Sequence, residues 1–132
     1  MKYHIYIVDD DRFLLDLYAV KFKNAGHEAS VFGSGESVLT ALRKPGAAIP
    51  NAILLDVIMP GIDGFGVLEA IRKENLAHGA KIIILSNQGQ DVDIEKAKKL
   101  SADGYIIKAS AIPSEVLAET LRTIEGGVAK SA

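Results

Sequence analysis

Four short apolar runs of the chain end on side chains able to do chemistry. Asp9 and Asp10 follow Ile5 to Val8, Asp56 follows Ala52 to Leu55, Ser86 follows Lys81 to Leu85, and Lys108 follows Gly104 to Ile107. A carboxylate such as Asp56, with apolar residues on both sides of it in sequence, is costly to bury unless a counter-charge meets it. If the runs are neighbouring strands about 4.8 Å apart, Asp9, Asp10 and Asp56 cluster, and each pair repels by about 3 kcal/mol at an effective dielectric near 20. A divalent cation relieves that repulsion. Three carboxylates with room for water, a main-chain carbonyl and a phosphate suit Mg²⁺ better than a calcium cage built wholly of protein. Lys108 supplies a second positive charge and Ser86 a hydroxyl donor. The set suits phosphoryl transfer to a carboxylate, which needs an aligned attacking oxygen and neutralised charge on three equatorial oxygens. Mg²⁺ would serve one oxygen, Lys108 another, and the Ser86 hydroxyl with a nearby backbone N–H the third. Asp56 is the expected nucleophile because it stands alone, whereas Asp9 and Asp10 form a pair suited to metal.

Aspartate and serine after a strand also cap the next helix, which contributes about 0.5 to 2 kcal/mol. That accounts for Asp11 or Asp10 taken singly. It does not account for Asp56, because the following helix begins only after the Pro60-Gly61 turn and has Asp63 as its natural cap.

The elements that must position these residues alternate along the chain. Lys2 to Val8 reads as a strand, followed by a helix in which Phe13, Leu14, Leu17 and Val20 recur at helical spacing until Asn24-Ala25-Gly26. A strand at His27 to Phe32 leads through Gly33-Ser34-Gly35 into a helix at Glu36 to Arg43, which Lys44-Pro45-Gly46 ends. The third unit is Ala52 to Leu55 with Asp63 to Lys73, whose Phe65, Leu68 and Ile71 share a side. In the fourth, Lys81 to Leu85 is apolar without alternation, the habit of a strand buried on both faces of a parallel sheet. Its helix, Asp91 to Leu100, has only the thin stripe Ile94, Ala97 and Leu100. Gly104 to Ile107 is the fifth strand, and Pro113 opens a last helix with Val116, Leu117, Leu121 and Ile124 facing inward. Five strand-helix units with right-handed crossovers predict a doubly wound α/β fold, flavodoxin-like, with a five-stranded parallel sheet in order 2-1-3-4-5 and helices on both faces. In that order the first and third strands end together at the topological switch point, where ligands bind.

A length of 132 residues fits one domain, and 48% hydrophobic with 24% charged residues is ordinary for a globular chain. Net charge −2 offers no broad basic field, so no direct nucleic-acid binding is expected. There is no cysteine, and His4, His27 and His78 lack metal-ligand spacing. No segment resembles a secretion signal or a membrane span, which makes the cytoplasm the expected location. Gly61, Gly64 and Gly66 read G-x-x-G-x-G, the wrong order for a dinucleotide fingerprint, and fit turn chemistry instead.

The residues resemble a known family, the receiver domains of two-component response regulators. The likeness runs from about Lys2 to Glu125 and rests on I-V-D-D at Ile7 to Asp10, L-L-D-V-I-M-P-G-I-D-G at Leu54 to Gly64, I-L-S at Ile84 to Ser86, and D-G-Y-I-I-K at Asp103 to Lys108. It implies a receiver domain over residues 1–125 and a flexible tail over 126–132. It also implies that Asp56 accepts phosphate from a sensor histidine kinase or phosphotransfer protein, with Asp9, Asp10, Asp56 and the main-chain carbonyl of Ile58 holding Mg²⁺. Ser86 and Tyr105 match the family's switch pair, in which the hydroxyl moves toward the phosphoryl group and the ring turns inward. Such a protein modifies itself and turns over no separate substrate. A downstream protein is expected on the surface of the fourth helix, fifth strand and fifth helix, where Lys96, Lys98 and Lys99 lie, and the resemblance allows a phosphorylation-dependent homodimer.

Two positions depart from the family pattern. Where the family usually has Lys-Pro with a cis bond, this chain has Lys108-Ala109. A cis bond before a non-proline residue costs about 2.5 to 4 kcal/mol, which favours trans and a less secure Lys108. Ile58, two residues beyond Asp56, cannot orient an attacking water, so slow loss of phosphate is expected. The competing readings are a receiver-like interaction module that works without phosphorylation, and a phosphatase using the D-x-D of Asp9, Asp10 and Asp11.

Overall fold

The unbroken apolar runs form five parallel strands with hydrogen-bonded order β2-β1-β3-β4-β5, as expected. The computed structural model describes residues 2–87, 91–108 and 111–126. In chain order the elements are β1 (His4–Val8), α1 (Arg12–Asn24), β2 (Glu28–Phe32), α2 (Gly35–Arg43), β3 (Ala52–Asp56), α3 (Gly64–Lys73), β4 (Lys81–Ser86), α4 (Asp91–Lys99), β5 (Gly104–Ile107) and α5 (Pro113–Ile124).

Alternation along the strands divides the core into two layers. Ile5 and Ile7 of β1, Leu54 of β3, and Ile83 and Leu85 of β4 meet Leu15, Tyr18 and Phe22 of α1 and Val116 of α5. Tyr6, Val8, Leu55, Ile82 and Ile84 face the other way, against α2, α3 and Ala97 of α4. Local hydrogen bonds begin the helices where the sequence places them. Asp11 Oδ1 accepts from the N–H groups of Phe13 and Leu14, Ser34 Oγ from Ser37, and Asp63 Oδ1 from Gly66.

Two helices bury different residues from those the spacing suggested. In α1 the core side is Leu15, Tyr18, Ala19 and Phe22, while Phe13 and Val20 are 73% and 54% exposed and Leu17 is also exposed. The helix carries two apolar stripes, and the sheet takes the one that includes its largest rings. In α5 Val116 is buried as expected, but Thr120 and Thr123 take the other deep positions. Each hydroxyl donates to a carbonyl one turn back, Thr120 to Val116 and Thr123 to Glu119, which removes the cost of burying it. Leu117 and Ile124 are only partly buried against the core.

Candidate functional site

Strand register brings the acidic residues together. Val8 of β1 lies opposite Leu55 of β3, so Asp9 and Asp56, the next residue of each, leave the sheet side by side. Asp56 in turn pairs with Leu85 and Ser86 with Ile107, so the polar rim continues through Ser86 to Lys108. One carboxylate oxygen from each of Asp9, Asp10 and Asp56 lies within 4.8 Å of the others.

The period of two along a strand also splits the rim. Asp9, Asp56 and Lys108 fall in step with the residues that face α1 and α5. Ser86 and Tyr105 fall in step with the face covered by α4; Ile84, two residues before Ser86, is the register partner of Tyr105. The charged centre and the expected switch pair therefore lie on opposite faces of one sheet edge.

Lys108 closes the centre. Its Nζ donates to Asp9 Oδ2 at 2.8 Å and lies 3.1 Å from Asp56 Oδ1, with the side chain only 7% exposed. This is no solvated lysine: it is the cation that the paired carboxylates require. Ala109, and with it the Lys108-Ala109 bond, lies outside the described residues, but the two carboxylates hold the ammonium firmly. Asp9 is also oriented locally, its Oδ1 accepting from the Asp11 N–H at 2.9 Å. Asp10 is exposed and opens the cluster to solvent.

These contacts set the electrostatics. Burial, with the Asp9 charge beside it, pushes the Asp56 carboxyl up to about 6 against the opposing pull of Lys108. Burial acts to lower the Lys108 ammonium, but its hydrogen bond to Asp9 and the charge of Asp56 outweigh that effect and hold it above the ordinary lysine value. Asp56 is thus buried, mostly ionised at neutral pH and aimed at a fixed cation. That is what a carboxylate nucleophile for an anionic electrophile needs.

Backbone geometry fixes Asp56 from the other side. A Cβ at Gly64 would sit 2.2 Å from the Asp56 carbonyl oxygen, so only glycine lets the first turn of α3 come this close. Gly64 N–H donates to the Val57 carbonyl at 2.9 Å, and Glu36 of α2 accepts from the Ile62 N–H at 3.3 Å. Between them the loop Pro60-Gly61 turns, with φ +78° at Gly61. Ile58, in the same loop, is 75% exposed.

Of the residues singled out in the sequence, Asp9, Asp10, Asp56 and Lys108 converge directly. Ser86 is buried at the end of β4, and Tyr105 lines a cavity of about 280 Å³ between α4 and α5. Asp11 serves as a helix cap, which removes the third member of the D-x-D reading. Tyr18 was missed. Burial raises its phenol, Lys108 lowers it, and Asp9 and Asp56 raise it further, so it titrates within the field of the site. Its position seven residues after the Asp11 cap, two helical turns along α1, was the available signal.

The family model for the response regulator receiver domain matches residues 5–121. The chain belongs to that family. It is 31% identical over 118 residues to the DNA-binding response regulator MtrA of Mycobacterium tuberculosis, covering 89% of this chain and 49% of that protein. It is 36% identical over 118 residues to the regulatory protein VanRc of Enterococcus gallinarum, covering 89% and 48%. The receiver thus spans about half the length of the curated relatives it matches. Its fold superposes on the response regulator DrrB of Thermotoga maritima with TM-score 0.80 at 26% identity, covering 96% of this chain and 54% of that one. A CheY-like receiver from Methanospirillum hungatei gives TM-score 0.84 at 23% identity, covering 96% of both chains. Receivers are signalling domains of two-component systems rather than enzymes that turn over a separate substrate. Among the described residues no helix is long and apolar enough to cross a membrane.

Proposed function

We propose that this receiver takes a phosphoryl group onto Asp56 from a phosphohistidine on a sensor histidine kinase or phosphotransfer protein. The observation that carries this reading is one buried carboxylate, held beside a second and faced by a buried lysine at 3.1 Å. An Asp56 oxygen attacks phosphorus, the P–N bond breaks with its electron pair retained by the imidazole, and an aspartyl phosphate remains. Lys108 moves from bridging two carboxylates to neutralising a phosphoryl oxygen, and the Ser86 hydroxyl donates to another. Because Asp56 has given up its proton above about pH 6, the nucleophile is ready at neutral pH.

The donor set fits Mg²⁺: three carboxylates offer converging hard oxygen atoms, and Asp10 leaves the cluster open for water. Asp9, Asp10, Asp56 and the Ile58 carbonyl would hold it. When bound, it supplies positive charge for the oxygens of the transferred group. A phosphorylation-independent interaction module would have no use for a carboxylate kept buried beside another.

The exposed Phe13, Leu17 and Val20 stripe runs along α1 from the rim of the site, and with Ile58 and Ile112, also exposed, it offers the phosphodonor an apolar landing surface. The α4, β5 and α5 surface, carrying Lys96, Lys98 and Lys99, is the face for a downstream protein or a second phosphorylated copy. We assign the receiver to residues 1–125. With net charge −2, these residues carry the signal in the cytoplasm without holding nucleic acid themselves.

Incubation with Mg²⁺ and acetyl phosphate should add one phosphoryl group, stable in acid and labile in alkali, and the Asp56→Ala variant should add none. Equal labelling of the variant, or catalytic release of free phosphate, would overturn the reading.

A further inference from the structure

Strands β1 and β2 hold a second group of reactive side chains, at the end of the sheet away from the acidic site. His4, the first residue of β1, lies opposite Glu28 in register, and Ser30, two residues further along β2, shares the face of Glu28. His4 Nε2 is 2.8 Å from Ser30 Oγ, and His4 Nδ1 is 3.9 Å from Glu28 Oε1. The imidazole meets the Tyr6 ring edge-on, with 5.2 Å between centroids, and the His4 N–H donates to Asn51 Oδ1 at 2.8 Å, so the ring and its backbone are both held. These side chains open on a hollow of about 450 Å³ that Lys2 and Lys23 also line.

A hydroxyl and an imidazole at hydrogen-bonding distance, with a carboxylate near the far ring nitrogen, are the parts of an activated serine. Glu28 beside Nδ1 favours the tautomer that carries its proton there, so Nε2 accepts from the Ser30 hydroxyl. At 3.9 Å the carboxylate is within ion-pair reach but beyond hydrogen-bond length, so it contributes charge more than alignment. The main chain supplies the remaining part. β2 is an edge strand. The Glu28 N–H donates to the Tyr3 carbonyl and the Phe32 carbonyl accepts from Asp9, so residues 28, 30 and 32 turn their main-chain groups toward β1. Ala29 and Val31 turn theirs to the open edge. The Val31 N–H, next in the chain after Ser30, is therefore a donor for negative charge developing on a carbonyl attacked there.

The geometry points to Ser30 as a self-acylating serine, with His4 as its general base, Glu28 holding His4 in the accepting tautomer, and a small acyl phosphate as the acyl donor. Lys2 and Lys23 outnumber Glu28 around the hollow, which favours a donor that carries negative charge. Ser30 Oγ attacks the carbonyl carbon as its proton passes to His4 Nε2. The bond from that carbon to the bridging oxygen breaks, its electron pair leaves with phosphate, and phosphate takes the proton from His4. Ser30 is left as an ester, one acyl group per chain. The atom attacked is carbon rather than phosphorus, and no step uses a metal, so this site stands or falls apart from the reading of Asp56.

Wild type incubated with acetyl phosphate in chelator and quenched in acid should carry one acetyl group on Ser30, located by peptide mass. Neutral hydroxylamine should release it, because hydroxylamine cleaves an ester and leaves acetyl-lysine intact. The chain has no cysteine, so no thioester can mimic this signal. Ser30→Ala should carry no such label, yet still take a phosphoryl group at Asp56 when Mg²⁺ is restored. His4→Gln should slow labelling by about 10²- to 10⁴-fold, and Glu28→Gln should slow it less. In wild type the rate should rise with pH and level off once His4 is neutral, whereas an unassisted serine would keep rising with hydroxide. The assignment is overturned if Ser30 carries no acetyl, if His4→Gln labels at the wild-type rate, or if the pH profile never levels. Acetyl on Ser30 with no phosphoryl on Asp56 would leave this site standing and remove the Asp56 reading; the converse would remove this site alone.

Discussion

Replacement of Asp56 by asparagine should stabilise the fold at neutral pH, and the gain should depend on pH in a calculable way. The Asp56 carboxyl is raised from 3.8 to about 6, chiefly by burial and then by Asp9. At about 1.36 kcal/mol per pKa unit, ionising it inside the fold costs about 3 kcal/mol more than in the unfolded chain. Below 3.8 both states hold the proton and nothing is lost. Between 3.8 and about 6 the folded state binds more protons than the unfolded one, so stability falls as pH rises, and above about 6 the loss is complete. Asparagine cannot ionise. The stability of wild type relative to Asp56→Asn should therefore drop by about 3 kcal/mol between about pH 3.5 and pH 7.5, or roughly 10 °C in Tm for a domain of this size. Any packing effect of the amide is independent of pH and cancels in this comparison. Urea unfolding followed by circular dichroism at several pH values, in chelator, measures the difference directly. Saturating Mg²⁺ should remove most of it at pH 7.5 by stabilising the wild-type carboxylate. A relative stability that is flat with pH, or that shifts toward wild type as pH rises, would refute the reasoning, because it would mean that Lys108 outweighs burial.

Lys108→Met leaves Asp9 and Asp56 buried without their cation, and removing one member of such a set costs about 3 to 5 kcal/mol. Mg²⁺ should then raise the Tm of the variant more than that of wild type, and equal shifts would count against the role given to the ammonium. Ile58→Asn should leave stability within about 0.5 kcal/mol, because the side chain is exposed. It should, however, speed loss of the acyl phosphate, followed as the decay of labelled protein. Unchanged or slower decay would remove the water-orienting explanation for Ile58.

The candidate site was legible because its members are punctuation marks: a charged or hydroxyl residue where an apolar run stops. Asp9, Asp56, Ser86 and Lys108 could each be picked out from the strand that precedes them, and the parallel order brought them to one edge. Lys108 was legible as a second positive charge, but its direct pairing with both carboxylates was not. The sequence shows that Asp9 and Asp56 need positive charge, but only the β4–β5 register, with Ser86 opposite Ile107, brings Lys108 Nζ to 2.8 Å from Asp9. Lys108 is held by two buried carboxylates, and the Lys108-Ala109 bond that follows it lies outside the described residues.

Read alone, the amino-acid order determined whatever depends on near neighbours. The caps at Asp11 and Asp63, the Pro113 opening of α5 and the turn at Pro60-Gly61 involve groups within a few residues of each other, so no distant partner can reassign them. The tertiary structure decided whatever had more than one local solution. Helix α1 has two apolar faces, and contact with β1, β2 and α5 chose Tyr18 and Phe22 for the core while leaving Phe13 and Val20 at the surface. In α5, two threonines could enter the core because the helix's own carbonyls accept from their hydroxyls. Helical periodicity ranks residues by side chain and carries no record of which face the sheet will meet. That choice is made by burial against residues distant in the chain, and it leaves an apolar stripe of α1 facing solvent.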